Sequence, residues 1–321
     1  MRHKRKPQKQ WLLVTIGLFL IVFVGKSCYN SHSDADTEDI ALDQEVELHF
    51  DGRPKVGEPY LISVNSRRVR TYRMKIVGID NPPYLRETHE THAVGELVYQ
   101  SLDPLVIQFK IEVLEQTVDD KAVDYHPFSG MTAIIRGTSE GMNESLFIAD
   151  ESAVSFVPED APEGFRELLP GARRLIASMF ASPLDHPEEY LGKSRKVKPG
   201  EKWNASAKPM LDAIKATGLE LAPDQISATA AYDNASKIAD IPARHVYFKA
   251  ESVNVPGYDF KLEVFFTFPD ESDAPLRIER TATEVVNHAI PEGVPGFSGS
   301  VMDCMTTDQS EVVMVRKSYL K

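Results

Sequence analysis

Much of the chain alternates between hydrophobic and polar residues with a period of two, which is typical of half-buried antiparallel strands. In the first half the alternation is clearest in residues 69–76, 105–114 and 131–135. In the second half it covers residues 226–232, 245–253, 258–268, 276–285, 298–305 and 311–317. Because parallel strands need long crossover connections and these segments follow one another closely, we predict mostly antiparallel pairing.

Two segments show the spacing of an amphipathic helix instead. Residues 171–181 place four apolar side chains on one stripe, and residues 209–217 place three on one side before Gly218. Such a stripe can cover one face of an antiparallel sheet. We therefore predict a mainly β (α+β) fold of two antiparallel β units, with curved sheets and two short covering helices.

A short repeat opens each of the two β units. Residues 55–60 (KVGEPY) and 198–203 (KPGEKW) share lysine, glycine, glutamate and an aromatic residue at the same spacing. Glycine suits a turn, and Tyr60 and Trp203 are large enough to close one end of a sheet. We predict that both aromatic residues pack in the core and hold no ligand.

The chain begins with a basic segment and continues with an apolar one. Residues 1–27 carry six basic residues and no acidic residue, and residues 11–25 form an uncharged apolar run. A helix of that length rises about 22 Å, less than the roughly 30 Å of a membrane's hydrocarbon core. The run is either a signal-peptide core or a short transmembrane anchor extended by its flanks. The basic residues keep 1–10 in the cytoplasm and direct the rest across the membrane.

Three fates of this segment stay open: a retained anchor, a lipid attached to Cys28, or simple cleavage. The residues before Cys28 resemble a bacterial lipoprotein cleavage site only loosely, because Gly25 stands where that site has an aliphatic residue. The other cysteine is Cys304. A bridge between the two would join the N-terminal segment to the last strands, but we expect Cys304 to pack as a small strand residue.

The remaining chain is strongly acidic. Six of the 36 Lys and Arg residues precede residue 28, which leaves 30 against 48 Asp and Glu. Nucleic-acid phosphates repel such a body, so we exclude nucleic acid as a partner. The predicted division is a basic tail 1–10, a transmembrane or signal-anchor segment 11–25, an acidic linker 26–52, a first β unit 53–162, a helical connector 163–192 and a second β unit 193–321.

Nothing in the sequence has the pattern of a metal site. His89 and His92 stand three apart, whereas the zinc-protease pattern places two histidines four apart on a helix. The surrounding sequence favours a strand, where these two side chains lie on opposite faces and cannot share one metal. Asp34, Asp36 and Glu38 lack the glycine turn and the distal acid of a calcium loop. We predict no metal and no cofactor.

One motif resembles a nucleophile turn. The segment 296–300 (GFSGS) has serine at its last position, strands follow it, and no histidine comes after His288. A hydrolase with Ser298 last in the chain and His245 or His288 before it stays open as an alternative. Two acidic pairs beside turn residues are expected to be surface charge: Asp119 with Asp120, and Glu188 with Glu189.

The two openings and the β pattern of residues 53–317 are similar to those of uncharacterised, exported, membrane-anchored β-rich proteins of bacteria. That resemblance implies no catalytic residue. The layout also resembles, more distantly, the periplasmic lipoprotein carriers, whose incomplete barrel is covered by helices and holds acyl chains.

We therefore expect a membrane-tethered protein whose folded part lies outside the cytoplasm, in the periplasm or at the cell surface. It is expected to be a non-enzymatic binding or envelope-associated module for an apolar ligand or a protein partner. The alternatives are an exported hydrolase and a structural or assembly protein. We assign no catalytic, cofactor-binding or metal-binding residue.

Overall fold

The computed structural model describes residues 45–76, 84–137, 151–157, 163–180, 187–216, 219–238, 241–270, 274–289 and 300–320. The predicted membrane segment 11–25, Cys28 and Ser298 lie outside these residues. Among the helices within them, none is both long enough and apolar enough to cross a membrane.

The described elements are mostly strands. The strands are β1 (Val46–His49), β2 (Pro59–Lys75), β3 (Tyr84–Leu102), β4 (Leu105–Val118), β5 (Lys121–Asp124), β6 (Thr132–Arg136), β7 (Val154–Val157), β8 (Ser194–Val197), β9 (Lys202–Asn204), β10 (Ile226–Ile238), β11 (Ile241–Ser252), β12 (Tyr258–Pro269), β13 (Arg277–Ala289) and β14 (Val301–Arg316). The helices are α1 (Glu163–Phe180), α2 (Pro187–Leu191) and α3 (Lys208–Ala216).

Twelve of the strands form one antiparallel sheet, which confirms the mainly β prediction. Its strand order is β7-β6-β4-β3-β2-β14-β13-β12-β11-β10-β9, with β5 on β4, and β1 and β8 form a separate two-stranded sheet. The two predicted units share the large sheet, because β2 pairs with β14 from Lys75 opposite Val301 to Tyr60 opposite Arg316.

Two long strands differ from the sequence prediction. Residues 298–305 and 311–317 were expected to be separate strands, but Val301–Arg316 is one strand. The intervening residues 306–310 are polar on both faces, which hides the alternation, yet they pair with β2 and β13. The first part of Tyr84–Leu102 is polar in the same way, and only its surroundings at residues 89–92 indicated a strand.

The repeated openings have the same conformation. Gly57 and Gly200 have φ angles of +81° and +80°, and each lies in a turn closed by a hydrogen bond from the following glutamate N–H to the lysine carbonyl. Each glycine N–H also donates to a tyrosine carbonyl on the neighbouring strand, at 2.8 Å in both cases. Tyr60 and Trp203 are buried after these turns, as predicted. The repeat is therefore structural: each opening starts a strand in the same way.

The end of the acidic segment belongs to the folded core. Residues 26–52 were interpreted as a linker, but Val46–His49 forms β1 and pairs with β8. Leu48 and Phe50 are buried, and the Phe50 ring lies 5.4 Å from that of Phe268. The chain therefore enters the fold beside its second half before it forms β2.

The helices cover two separate apolar clusters. The first cluster joins α1 to strands β2–β7, and the second joins β1, α2 and α3 to strands β10–β13. The helix predicted at 171–181 begins earlier, at Glu163, and contains Pro170. The helix predicted at 209–217 lies at Lys208–Ala216, and α2 is an additional short helix within the predicted connector.

Gly95 allows close approach of β3 and β4 at an irregularity in their register. A Cβ at this position would lie 2.6 Å from the Phe109 ring and closer still to the Lys110 carbonyl oxygen, whereas a Cβ at Gly57 would meet nothing within 4 Å. We expect Gly95→Ala to lower the free energy of unfolding by about 3 kcal/mol because the backbone must shift.

In the matched variant Gly57→Ala the added methyl group contacts nothing. The free energy of unfolding should fall by about 1 kcal/mol, because alanine is strained in the left-handed conformation. Denaturant unfolding of both variants tests the prediction. Equal losses in the two would show that the close approach at Gly95 is not a constraint on the sheet.

Candidate functional site

Alternation of side chains gives the large sheet two faces with different roles. Both apolar clusters lie on one of them, the helix-covered face, because directly opposite residues of paired strands share a face. The four middle strands carry mostly polar residues there, between the clusters. We call these polar positions the central strip: Arg280 and Glu284 on β13, Thr306, Asp308 and Ser310 on β14, Ser66, Arg68 and Arg70 on β2, and Glu87, His89 and Thr91 on β3.

One row of apolar residues crosses the middle strands beside the central strip. In register across β13, β14, β2 and β3 it consists of Ile278, Val312, Val64 and Ala93. Ile278 borders the second cluster and Val312 borders the first, and both are half-buried. The two clusters therefore meet at one cross-strand pair, Ile278 and Val312. We call the row of four residues that contains this pair the apolar row.

The central strip begins one step further along the strands. Arg280, Ser310, Ser66 and Thr91 form its first row, two residues or about 7 Å from the apolar row. The helix-covered face thus changes from apolar to hydrogen-bonding side chains over one repeat of each strand. Arg280 stands directly between Val264 on β12 and Ser310 on β14, at the border of the second cluster.

The charges of the central strip are unequally paired. Arg68 donates to both oxygens of Asp308, at 2.6 and 3.3 Å. The Nε of Arg280 is shielded from solvent and has no hydrogen-bond partner. Burial lowers the pKa of Arg280, while Asp308 and Tyr190 act in the opposite direction. At neutral pH the guanidinium is charged, and among the described residues it forms no ion pair.

The far end of the central strip is also polar. The hydroxyl of Tyr258 donates to Glu284 at 3.1 Å, and burial followed by the Glu284 charge raises the pKa of Tyr258. Arg70 donates to the Tyr72 hydroxyl at 3.4 Å, which, with the nearby Glu87 carboxylate, raises the pKa of Arg70. These charges therefore have local partners, unlike that of Arg280.

The opposite face of the sheet carries a serine–histidine contact. The Ser236 Oγ lies 2.6 Å from His245 Nε2, and the Thr267 Oγ1 lies 3.1 Å from His245 Nδ1. Burial lowers the pKa of His245; Asp233 raises it and Arg277 lowers it further. The imidazole is therefore neutral at pH 7 and is held between two hydroxyls.

A β-bulge produces this contact. Tyr232 pairs with Val246, but Ala235 pairs with Arg244, so β10 contains one extra residue. One extra residue moves every following side chain to the other face. Ser236 therefore lies beside His245 rather than on the face of Tyr232.

The structure places the two histidines of the HETH segment apart. His89 is opposite Arg68 on the helix-covered face, and His92 is opposite Asn65 on the other face, with Nδ1 2.7 Å from the Asn65 Oδ1. The predicted strand geometry is confirmed. Within the described ranges no three His, Cys, Asp or Glu side chains are grouped to hold a metal.

Of the four acidic residues in the two pairs, three are exposed and one is not. Asp119 and Asp120 are exposed in the turn between β4 and β5, as predicted. The prediction is wrong for Glu188, whose side chain is 13% exposed and forms an ion pair with Arg53. Glu189 is exposed, as predicted, and partial desolvation of its carboxyl together with the Glu188 charge raises its pKa. Both glutamates begin α2, which packs on the core.

The other predicted candidates are only partly described. Cys304 is half-buried on β14 and forms no disulfide within the described chain. Ser298 lies outside the described residues, and the structure brings His245 to Ser236 instead.

Arg280 and Ser236 were both missed at the sequence level. Along β13 neither alternate series is apolar, because one reads Ile-Arg-Ala-Glu-Val and the other Arg-Glu-Thr-Thr-Val. The alternation therefore does not tell which face Arg280 is on. Ser236 follows a bulge that the sequence does not mark. The only available signal was an arginine within a strand next to the apolar β12.

Comparisons with known proteins give no family and only remote structural likenesses. No family model and no curated protein matches the sequence. Among solved structures, OpdQ of Pseudomonas aeruginosa is 8% identical with a TM-score of 0.24, covering 81% of this chain and 98% of that chain. A DUF1329 family protein from Desulfovibrio piger is 9% identical with a TM-score of 0.17, covering 75% and 83%. A mutant Rh. blastica porin is 11% identical with a TM-score of 0.17, covering 78% and 99%. At these TM-scores the likenesses carry no argument about this chain.

The partly buried His245 should make stability depend on pH. Because its pKa is lowered in the folded state, the unfolded chain takes up the proton first as the pH falls below about 6.5. We expect the free energy of unfolding to fall between pH 7.5 and pH 5.5, and to fall less in His245→Gln. Urea unfolding at the two pH values measures this difference. An equal fall in both proteins would contradict the assigned burial of the neutral imidazole.

Proposed function

We propose that the protein is a membrane-tethered, extracytoplasmic binding module that holds an apolar ligand on the helix-covered face of its sheet. The ligand lies on the half-buried end of the apolar row, at Ile278 and Val312, between α1 on one side and α2 on the other. The tether is residues 11–25 or a lipid on Cys28, as the sequence suggests. The remote resemblance in layout to lipoprotein carriers is consistent with this function.

The contact between the two clusters carries the proposal. Each cluster has its own covering helices, but no described helix belongs to both. Ile278 and Val312 therefore pair at the place where the two clusters meet, which we call the seam, and both side chains stay half-buried. An apolar chain laid across the seam would remove both side chains from water, at roughly 25 cal/mol for each Å² of apolar surface buried.

A photoreactive methyl palmitate tests the proposal with an uncharged probe. The full chain is placed in phosphatidylcholine nanodiscs and irradiated with the probe, and the labelled peptides are identified by mass spectrometry. We expect labels on β2, β13 and β14 that excess unlabelled methyl palmitate removes. Val312→Asn should reduce the labelling about tenfold because it leaves an amide in an apolar contact.

The matched control is Thr307→Asn, which lies on the same strand but on the opposite face. It should label like the wild type. Labelling that is absent, or equal in both variants, would count against an apolar ligand. In that case a structural or assembly role, with oligomers that depend on concentration, would take its place.

A second candidate function is hydrolysis of an ester by an exported enzyme, and one contact favours it. Neutral His245 is placed to take the proton of Ser236 as that Oγ attacks an acyl carbon, which is the chemistry of a nucleophile–base pair. Thr267 occupies the place that an acid has in a Ser-His-Asp triad, and a hydroxyl stabilises an imidazolium less than a carboxylate does.

A fluorophosphonate probe separates the two functions. Since binding needs no nucleophile, we expect the wild-type chain in nanodiscs to react no faster than Ser236→Ala. Ser227→Ala, an exposed serine on the same strand, is the matched control. A covalent adduct on Ser236 that disappears in His245→Gln and persists in Ser227→Ala would replace the binding function with hydrolysis.

A further inference from the structure

Arg280 has an unusual position for an arginine. It lies on the helix-covered face between Val264 and Ser310, and the buried Tyr190 of α2 is close enough to influence its pKa. Tyr190 itself packs edge-on against Phe248, with ring centroids 5.2 Å apart. The guanidinium therefore stands where the second cluster ends and the central strip begins.

The charge of Arg280 lacks a direct counter-charge within the described chain. Asp308 lies diagonally across from Arg280, opposite Ala282, and both oxygens of its carboxylate accept hydrogen bonds from Arg68. The next acid along β13, Glu284, accepts from Tyr258. The Nε of Arg280 is shielded from solvent and donates to nothing.

Further donors stand in line with Arg280. Ser310 is directly opposite it on β14, and Ser66 is directly opposite Ser310 on β2. Cross-strand neighbours of this kind have Cβ atoms about 5 Å apart. Neither hydroxyl has a hydrogen-bond partner within the described ranges. One guanidinium and two hydroxyls thus share a row, and all of them donate hydrogen bonds.

An arrangement of this kind costs stability unless an acceptor completes it. A guanidinium taken partly out of water loses hydration, and an ion pair or charged hydrogen bonds must restore the loss. The lowered pKa of Arg280, caused first by burial, agrees with an incomplete environment. The planar guanidinium fork fits the two oxygens of a carboxylate or a phosphate.

We propose that Arg280, with Ser310 and Ser66, binds the anionic headgroup of an amphiphile whose acyl chain lies on the half-buried Ile278–Val312 pair of the apolar row. The inference rests on the proposed function and names the ligand class: a single acyl chain that ends in a carboxylate or a phosphate. The row of Arg280, Ser310 and Ser66 lies about 7 Å from the apolar row along the strands, so one ligand can contact both rows.

Competition in the labelling experiment tests the headgroup. The full chain in phosphatidylcholine nanodiscs is irradiated with photoreactive palmitic acid, and unlabelled palmitic acid, hexadecyl phosphate, methyl palmitate and inorganic phosphate serve as competitors. We expect palmitic acid and hexadecyl phosphate to compete about 10- to 100-fold more strongly than methyl palmitate, as a charged hydrogen bond of this kind would provide.

Arg280→Gln should remove that advantage, so that palmitic acid competes no more strongly than methyl palmitate. Arg280→Lys keeps the charge without the fork and should lie between the two, and Ser310→Ala should lose less than Arg280→Gln. The matched control is Arg67→Gln, an exposed arginine on the opposite face of β2, which should bind like the wild type. The melting temperature of ligand-free Arg280→Gln should be unchanged or higher, which separates lost binding from lost folding.

The outcomes distinguish this inference from the proposed function. If palmitic acid and methyl palmitate compete equally in the wild type, the headgroup site is wrong and the apolar site stands. If neither binds, both fail. If inorganic phosphate alone displaces the probe as well as hexadecyl phosphate does, the row binds a free anion, and the amphiphile is overturned.

Discussion

The pairing of β2 with β14 is the contact on which the rest of this structure depends. It joins the first long strand of the described residues to the last one, and its register is unbroken from Tyr60 to Lys75. On either side of it each half of the sheet has its own apolar cluster and its own helices. Without this pair there would be two smaller sheets, each with an open edge of unpaired backbone groups.

The same pairing assembles the central strip from distant parts of the chain. Arg68 and Ser66 come from the first half, and Asp308, Ser310 and Arg280 come from the second. The sheet face at this place has to satisfy two demands, because it must be apolar enough to join the clusters and polar enough to keep its charges hydrated or paired. The apolar row meets the first demand, and the Arg68–Asp308 ion pair meets much of the second.

Much of the fold could be predicted from the sequence, and the limits have physical causes. Periodicity of two identified the strands whose faces differ in polarity, and the openings at Gly57 and Gly200 were visible because a left-handed turn favours glycine. Periodicity failed where both faces are polar, as in the first part of β3 and the middle of β14. That is also where the candidate site lies, so the rule that locates strands is least informative at the site.

Long-range pairing and small irregularities were beyond the sequence. Nothing local shows that β2 meets β14, or that Phe50 packs with Trp203 and Phe268. A single extra residue in β10 decides that Ser236 meets His245. Such features follow from the whole arrangement of the sheet, because each depends on a partner distant in sequence or on a shift of one residue.

The pairing of β2 with β14 also means that the sheet is complete only after β14 has been synthesised. A ribosome or a translocation channel delivers β2 more than 200 residues before β14, so the earlier half of the sheet waits with one strand edge unpaired. Such an edge is a template for association with other chains, and the long sequence separation slows its capture by the correct partner. The charged residues Arg67, Arg68, Arg70 and Arg73 along β2 repel a second copy of the same edge during that interval. The arginines of this strand therefore disfavour pairing between two incomplete chains, in addition to their contacts in the finished sheet.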